Sequence, residues 1–519
     1  MFSLAIFIGI YSYILFFLGV TGLLYKNIIM WVTLLCLFFA VVYYYKKRNV
    51  FKKFSFPKKN LDTSSFVFIF LVFLQVVVNF IGVLGPEISF DALWYHLTLP
   101  KIFLENNSIF HIPGGLLYYS DMPKLTETLF IAALSLSNEI SAKFIHFLFG
   151  IATLVVIYKL SIKFLSIKYA LLAVLIFYSN LVVGWESITA YVDLSRTFFE
   201  LLAFYAFILW TENKKTYLLL TSSIMLGFAV SVKLVAAFDL LVSLALFAVF
   251  FRKYLRQFIY FAFITILIPM PWLFFSFINT GNPVYPYLSL PVDSGQIFSI
   301  ADISSFLNFS DPISPIYIIL IPIIFRNRNK INKTFQIILT YSLFSFLIWF
   351  LTQSDRGFRF LLSYLSVFSV FCAYIIYLFK NKSIEKYLVL MVVFIAVTSI
   401  GYRFLANVKY IPYIFGKESK NHFLTNNLNF NFGDFYDTDG YFKNNIKNND
   451  KVLLYGFHNL YYVNFPYIHS TWVKKGDKFN FIAVQNADIP KRFSDWKPIY
   501  YNNSTKTKLY TKEFKTWIY

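Results

Sequence analysis

Asp193, Arg196 and Glu200 stand inside an otherwise apolar stretch, at offsets i, i+3 and i+7. Those offsets put all three on one face of a helix, with Glu200 about 10 Å further along the axis than Asp193. A charged group at bilayer depth costs roughly 2.5–3.5 kcal/mol on insertion scales, so each is a candidate for chemistry. The plain alternative is an internal i,i+4 ion pair between Arg196 and Glu200. Lys233, in Val230-Ser-Val-Lys-Leu between two apolar runs, either serves a site or snorkels to head groups. Asp91 opens Asp91-Ala-Leu-Trp-Tyr-His. Ser89 is placed to cap a short helix over Phe90–Leu99, disturbed at its end by Pro100, on which Asp91, Trp94, Tyr95 and Thr98 share a face. Asp91 then either acts or merely assists the cap. Gln353-Ser-Asp-Arg-Gly-Phe-Arg carries Arg356 and Arg359 at the start of a later apolar run. Guanidinium groups there suit a phosphate, unless Asp355 takes them. Gln75 and Asn79, four residues apart, read as glue between helices, and Asp239 has no assigned role.

The elements that must position these groups are apolar runs of membrane length. The 519-residue chain is 58% hydrophobic and 14% charged, with 65 Phe and 38 Tyr, and its mean hydropathy is +0.61. A soluble chain of this size needs more charge to cover its surface. Spans of about 20 apolar residues must be helical, because lipid offers no partner for free backbone groups. Thirteen spans are expected, at 2–25, 28–45, 65–85, 140–158, 168–184, 193–211, 216–232, 234–251, 257–278, 314–325, 333–352, 359–379 and 386–405. The first lacks a basic start and reads as a retained span, not a signal peptide.

The net charge of +21 does not imply nucleic acid, because the basic residues sit in short loops between runs. Loop 46–59 holds seven Lys/Arg, and 159–168, 212–215, 252–256, 326–333 and 380–386 hold two to four each. Loop 279–313 holds none, but carries Asp293, Asp302 and Asp311. One orientation satisfies every loop: N-terminus cytoplasmic, 86–139 and 279–313 outside, and the Asn-, Lys- and Tyr-rich tail after Leu405 outside. In that tail Lys451-Val-Leu-Leu-Tyr-Gly, Phe479-Asn-Phe-Ile-Ala-Val and Ile499-Tyr-Tyr read as strands, with a helix near Gly440 to Asn449. The expected fold class is an all-α polytopic membrane protein with a small C-terminal α/β domain. It divides into 1–60 (two extra spans and a basic loop), 61–405 (the core) and 406–519 (the extracytoplasmic domain). Cys36 and Cys372 both lie in apolar runs and imply no disulfide framework.

Several segments together resemble the GT-C superfamily of lipid-linked-sugar glycosyltransferases, in its protein-mannosyltransferase-like branch. They are Phe90-Asp-Ala-Leu-Trp-Tyr-His-Leu-Thr-Leu-Pro-Lys, Ala190-Tyr-Val-Asp-Leu-Ser-Arg-Thr-Phe-Phe, Gly227-Phe-Ala-Val-Ser-Val-Lys-Leu and Pro271-Trp-Leu through Thr280-Gly-Asn-Pro-Val-Tyr-Pro-Tyr-Leu, with Arg359-Phe-Leu-Leu beyond them. The resemblance covers 65–405 and, loosely, the tail. It departs where Ala92 follows Asp91, since many relatives have a second acid there, and in the two extra spans at the start. The resemblance implies a GT-C-like core in the cytoplasmic membrane that moves a sugar from a polyprenyl-phosphate carrier to a glycan, lipid or protein acceptor on the outer face, with inversion. It implies Asp91 as general base and Asp193 as a second site carboxylate, with Lys233 and Arg359 on the donor phosphate. His96, Tyr95, Glu127 and Arg356 are assigned to substrate contacts.

No cofactor is required on this reading; a divalent metal has room among the outer-loop acids, but no ligand spacing argues for one. Asp437-Thr-Asp439 matches a metal–sugar-nucleotide pattern, but beside Gly440 in the tail it reads as a turn. The competing readings are a transporter or flippase for a lipid-linked or polar solute, which would show internal symmetry, and a ligase or polymerase of whole glycans. Orientation is checked with a cysteine introduced within 86–124 after Cys36 and Cys372 are replaced. An impermeant maleimide should label it in whole cells; labelling only after permeabilisation reverses the topology.

Overall fold

The computed structural model describes residues 1–47, 61–289, 313–327, 331–352, 358–379, 381–512 and 516–519. Among these, eight helices are long and apolar enough to cross a membrane, or nine if Arg252–Leu267 and Met270–Thr280, bent by 57°, form one span. The expected thirteen uninterrupted spans are not reached, and proline accounts for two of the departures. Pro269 and Pro271 flank the 57° bend. Pro322 stands in the second of two short helices, Ile316–Ile319 and Ile321–Asn327, into which 314–325 divides. Proline removes a ladder donor and clashes with the carbonyl four residues back, so neither run continues straight. The 168–184 run divides at Ser179-Asn180 into Ile167–Tyr178 and Leu181–Glu186. Thr216–Val232 and Leu234–Phe250 are short apolar helices separated at Lys233.

The Asp193–Asn213 helix is the axis of the bundle. It packs against Thr216–Val232, Glu139–Ser161 and Leu362–Tyr377, and is buried nearly all round. Lys26–Lys46 is its opposite: only Ile29 is buried, and Trp31, Phe38 and Val41 face outward. A helix apolar on every side yet exposed on most has lipid as its solvent. Tight packing depends on small residues in places. A Cβ on Gly184 would come within 2.9 Å of Arg403 Cγ, so the Leu181–Glu186 helix and Lys382–Asn407 touch because that position has no side chain.

The tail forms a five-stranded sheet ordered β2-β1-β4-β6-β5, made of β1 Val452–Tyr455, β2 Tyr467–His469, β4 Phe481–Gln485, β5 Lys497–Asn502 and β6 Thr507–Thr511. β1 runs parallel to β2 and β4, whereas β6 is antiparallel to β4 and β5. β3 Lys478–Phe479 and β7 Trp517–Ile518 pair separately. Of the strands expected in the tail, two form as β1 and β5, the one over Phe479–Val484 breaks at Asn480 between β3 and β4, and the helix forms as Tyr441–Asn445. Asp437 accepts from the amides of Phe442 and Lys443, and Asp439 from the amide of Tyr441 and the Tyr500 hydroxyl. That Asp-x-Asp pair is therefore spent on a helix start.

The sheet caps one end of the bundle by gripping loop 86–139. Lys101 Nζ donates to the carbonyls of Tyr461 and Val463 and to Asn464 Oδ1. The Tyr462 hydroxyl donates to the Glu87 carbonyl at 2.8 Å, and the His458 ring stacks on Phe90 at 4.9 Å. Gly114, at φ +86°, lies so close to the Thr471 carbonyl that a Cβ would overlap it. The expected helix over Phe90–Leu99 is not what forms. Leu97 N donates to Ala92 O, closing one π-turn over Ala92–His96, and a separate helix runs from Thr98 to Glu105. Pro100 sits in the first turn of that second helix, where the missing N–H has no intrahelical partner to lose. Ser89 precedes the π-turn and its carbonyl accepts from Leu93 N at 3.1 Å, while its amide donates to the Glu87 carboxylate.

Candidate active site

The capped end encloses a cavity of about 380 Å³ lined by Asp91, Tyr95, His96, Lys124, Glu127, Lys233 and Arg359. Each wall has a local origin. The π-turn turns Asp91, Trp94 and Tyr95 to the cavity and leaves Thr98 buried, its hydroxyl donating to Leu93 O at 2.6 Å. Trp94 is pinned by its indole N–H on the Leu116 carbonyl, 2.9 Å away. Tyr95 stacks on Tyr119 at 3.7 Å, and Tyr119 on Tyr118 at 4.1 Å, giving one aromatic wall. Burial, with the Asp91 charge nearby, holds the Tyr95 phenol well above its ordinary value, so it is a hydroxyl donor and not an anion.

Opposite, Asp193 opens the central helix. His146 Nδ1 donates to the Thr189 carbonyl at 3.0 Å, and Nε2 accepts from the Leu194 amide at 3.0 Å. Those bonds define a neutral imidazole acting as an N-terminal cap, so its 3.9 Å approach to Glu186 Oε2 is no salt bridge. The Glu87 carboxylate accepts from the amides of Ile88, Ser89 and Ala190. It thereby fastens the Asp91 loop to the strand of chain that leads into Asp193.

The charges meet across this junction. Arg359 Nη1 lies 2.8 Å from Asp91 Oδ2, and its Nε lies 3.9 Å from Asp193 Oδ2 and 4.0 Å from Glu186 Oε1. Lys233 Nζ donates to Asp193 Oδ1 at 2.9 Å and sits 4.6 Å from the centre of the Phe360 ring. Arg359 lies over the rings of Tyr191 and Phe360, and the Tyr191 hydroxyl accepts from the Asp91 amide at 3.1 Å. Three carboxylates thus share two cations, and Lys124 supplies a third cation on the same cavity. Lys124 lies 5.6 Å from the Trp272 ring centre, and burial pushes it down to about 8. His96 Nδ1 and Glu127 Oε1 pair at 2.9 Å, while Glu127 Oε2 is buried without a partner.

The structure therefore gathers Asp91, Lys233, Arg359, Tyr95, His96 and Glu127 on one cavity, with Asp193 just behind it against Lys233 and Arg359. Arg356 lies outside the described residues. Lys233 does not snorkel, since it is bound to Asp193. Arg196 and Glu200 form the internal pair at 2.7 Å, away from the cavity, and Gln75, Asn79 and Tyr178 form a buried chain of hydrogen bonds between helices. Sequence reasoning missed Lys124, Glu186, His146 and Tyr191. Glu186 had one signal, as the lone acid in a short loop beside an apolar run, and His146 another, as a histidine inside an apolar run; Lys124 and Tyr191 resemble ordinary boundary residues. Among the described residues no three His, Cys, Asp or Glu side chains group as metal ligands would.

This arrangement, a helical bundle whose loops close over a charged cavity at one end, recurs in known folds. Two solved structures share it with this chain. ArnT from Cupriavidus metallidurans in the apo state superposes with a TM-score of 0.57 and 10% identity, over 85% of this chain and 97% of that one. ArnT from the same organism bound to undecaprenyl phosphate gives 0.60 and 9%, over 86% and 98%. No family model and no curated protein matches the chain. The likeness is one of fold, and it does not reach the protein-mannosyltransferase-like branch expected from the motifs.

The Asp193–Lys233 pair is testable as a unit. Lys233→Met should cost about 3 kcal/mol in thermal unfolding of the detergent-solubilised chain, because it strands a buried carboxylate. Adding Asp193→Asn should recover most of that loss; simple additivity of the two changes would mean the pair is not coupled.

Proposed function

We propose that this chain is a membrane glycosyltransferase that transfers a sugar from a polyprenyl-phosphate carrier to an acceptor hydroxyl on the outer membrane face, with inversion. The observation that carries the reading is the convergence of Asp91, Arg359, Lys233 and Lys124 on one cavity, with Asp193 behind the two cations it faces, beside an apolar groove. That groove, about 500 Å³, is lined by Leu361, Tyr364 and Phe368 just after Arg359, and by Tyr317, Leu339 and Phe346. A carrier with a hydrocarbon tail needs this juxtaposition: lipid-like walls for the chain and fixed cations for the phosphate. The ArnT structure bound to undecaprenyl phosphate supports a carrier of that class on this fold.

In the reaction the acceptor oxygen attacks the anomeric carbon, its proton passes to Asp91, and the bond from that carbon to the phosphate oxygen breaks with its electron pair on the phosphate. The leaving phosphate gains negative charge, which Arg359, Lys233 and Lys124 stabilise from fixed positions. Arg359 links the two ends of the step. Asp91 loses its charge on taking the proton at the moment the phosphate becomes more anionic, so the guanidinium is released from one partner as the other comes to need it. Asp193 holds Lys233 and faces Arg359 Nε, which keeps both cations aimed during turnover. Tyr95, Tyr118 and Tyr119, stacked on one another, offer ring edges and hydroxyls to the sugar.

With a defined polyprenyl-phosphate sugar, Asp91→Asn should lower kcat by about 10²–10⁴-fold while donor binding persists. Full turnover in that variant removes Asp91 as base. The Lys124 ammonium is charged below about 8 and neutral above it. The kcat/KM for donor should therefore fall as pH rises through that value, and Lys124→Arg should abolish the fall. A profile identical in both forms means Lys124 does not meet the phosphate.

A further inference from the structure

The central helix ends far from the cavity just described. From Asp193 to Lys214 it climbs about 30 Å, the thickness of a bilayer core. At that far end a second cavity of about 320 Å³ is lined by Lys214, Arg252, Lys253 and Lys333, with Phe251 and Tyr254 as its apolar part. One carboxylate, Glu212, also lines it, but Lys163 already binds that group at 2.9 Å.

Lys214 is the centre of the arrangement. Its backbone is left-handed at φ +53°, a conformation that glycine adopts more readily at a helix end. The side chain is carried over the rings of Trp210 and Phe251, each 4.2 Å from the ammonium, with Tyr254 at 5.0 Å. Its Nζ is shielded from solvent and has no hydrogen-bond partner among the described residues. Lys333 stands 5.7 Å from the Phe251 ring and Lys253 5.0 Å from that of Tyr254. Burial and the charges of Lys333 and Lys253 push Lys214 down to about 8. Several cations are thus held together on aromatic faces with no free anion among them, which is costly unless an anion arrives from outside.

We propose that this cavity seats the phosphate head group of an anionic phospholipid. The position selects a lipid as the source of the phosphate. The pocket lies at the end of apolar helices, beside outward-facing Val249, Leu255 and Ile259, which offer a surface for acyl chains. Its cations belong to 212–215, 252–256 and 326–333, loops whose excess of Lys/Arg is the mark of the cytoplasmic leaflet, where anionic head groups are concentrated. Nothing in the proposed transfer uses these residues, so occupancy is readable apart from turnover.

The test is thermal unfolding of the delipidated full chain in neutral detergent. Dioleoylphosphatidylglycerol added to the micelles should raise Tm saturably, whereas dioleoylphosphatidylcholine should not. Lys214→Gln combined with Lys253→Gln should require about tenfold more phosphatidylglycerol for the same rise. If that double variant does not fold, Lys333→Gln, at an exposed position, should shift the same titration in the same direction. An equal rise with inorganic phosphate at matched ionic strength would assign the pocket to a soluble anion and overturn the lipid. Equal rises with both lipids, or a variant titration that matches the wild type, would overturn the site.

Discussion

Everything at the capped end depends on one constraint: charges removed from water must find one another. Asp91, Asp193 and Glu186 carry three negative charges, and Arg359 and Lys233 are the cations among them. Each carboxylate is costly alone in a low-dielectric junction, and each cation would be as well. Arg359 resolves this because a planar guanidinium with five donors can address several oxygens in different directions. A lysine at that position is a single point and could not face Asp91, Asp193 and Glu186 together. The same network is incomplete in a useful way, since Asp193 Oδ2 accepts no hydrogen bond and Glu127 Oε2 none either. Such oxygens, buried and unspent, are what a substrate hydroxyl would satisfy.

Holding that network needs rigid parts from distant stretches of chain. Loop 86–139 is anchored from three sides: Glu87 ties it to Ala190, Lys101 ties it to the tail, and Lys143 Nζ holds its start through the carbonyls of Gly82, Gly85 and Pro86. Arg359 is presented by the turn preceding the Leu362–Tyr377 helix, one of the most completely buried in the bundle. His146 fixes the start of the Asp193 helix without adding a charge. The C-terminal sheet, remote in sequence, is therefore part of the apparatus that places Asp91.

The two ends of the Asp193–Asn213 helix differ in how they treat charge. At the capped end acids and bases are mixed and nearly cancel, which suits a reaction that moves a proton one way and negative charge the other. At the Lys214 end the cations stand on aromatic rings with a single, already engaged carboxylate. Between them the Arg196–Glu200 pair, with Asp239 bonded to Tyr341, is buried in the bundle and binds helices together. One helix thus carries three kinds of ionic arrangement with three physical uses.

Composition, run length and the placement of Lys and Arg determined by themselves that the chain is a helical membrane bundle with a folded tail, because hydrophobic burial and backbone hydrogen bonding act on local sequence. Asp193 and Lys233 stood out as charges within or between apolar runs, whereas Asp91 and Arg359 were singled out in outer-loop segments whose roles the resemblance implied. The same local features did not determine the number of unbroken spans, because Pro322, Pro269 and Pro271 act on helix geometry that hydropathy does not register. They misjudged the Phe90–Leu99 helix, whose π-turn is held by contacts with residues 458–464. The i,i+4 spacing of Arg196 and Glu200 had already offered their pair, whereas only the tertiary structure decided that Lys233 belongs to Asp193. It alone brought Lys124, Glu186 and His146 to the junction. Partner choice between buried charges on different helices is set by distances between segments far apart in the chain, and no local spacing encodes those distances.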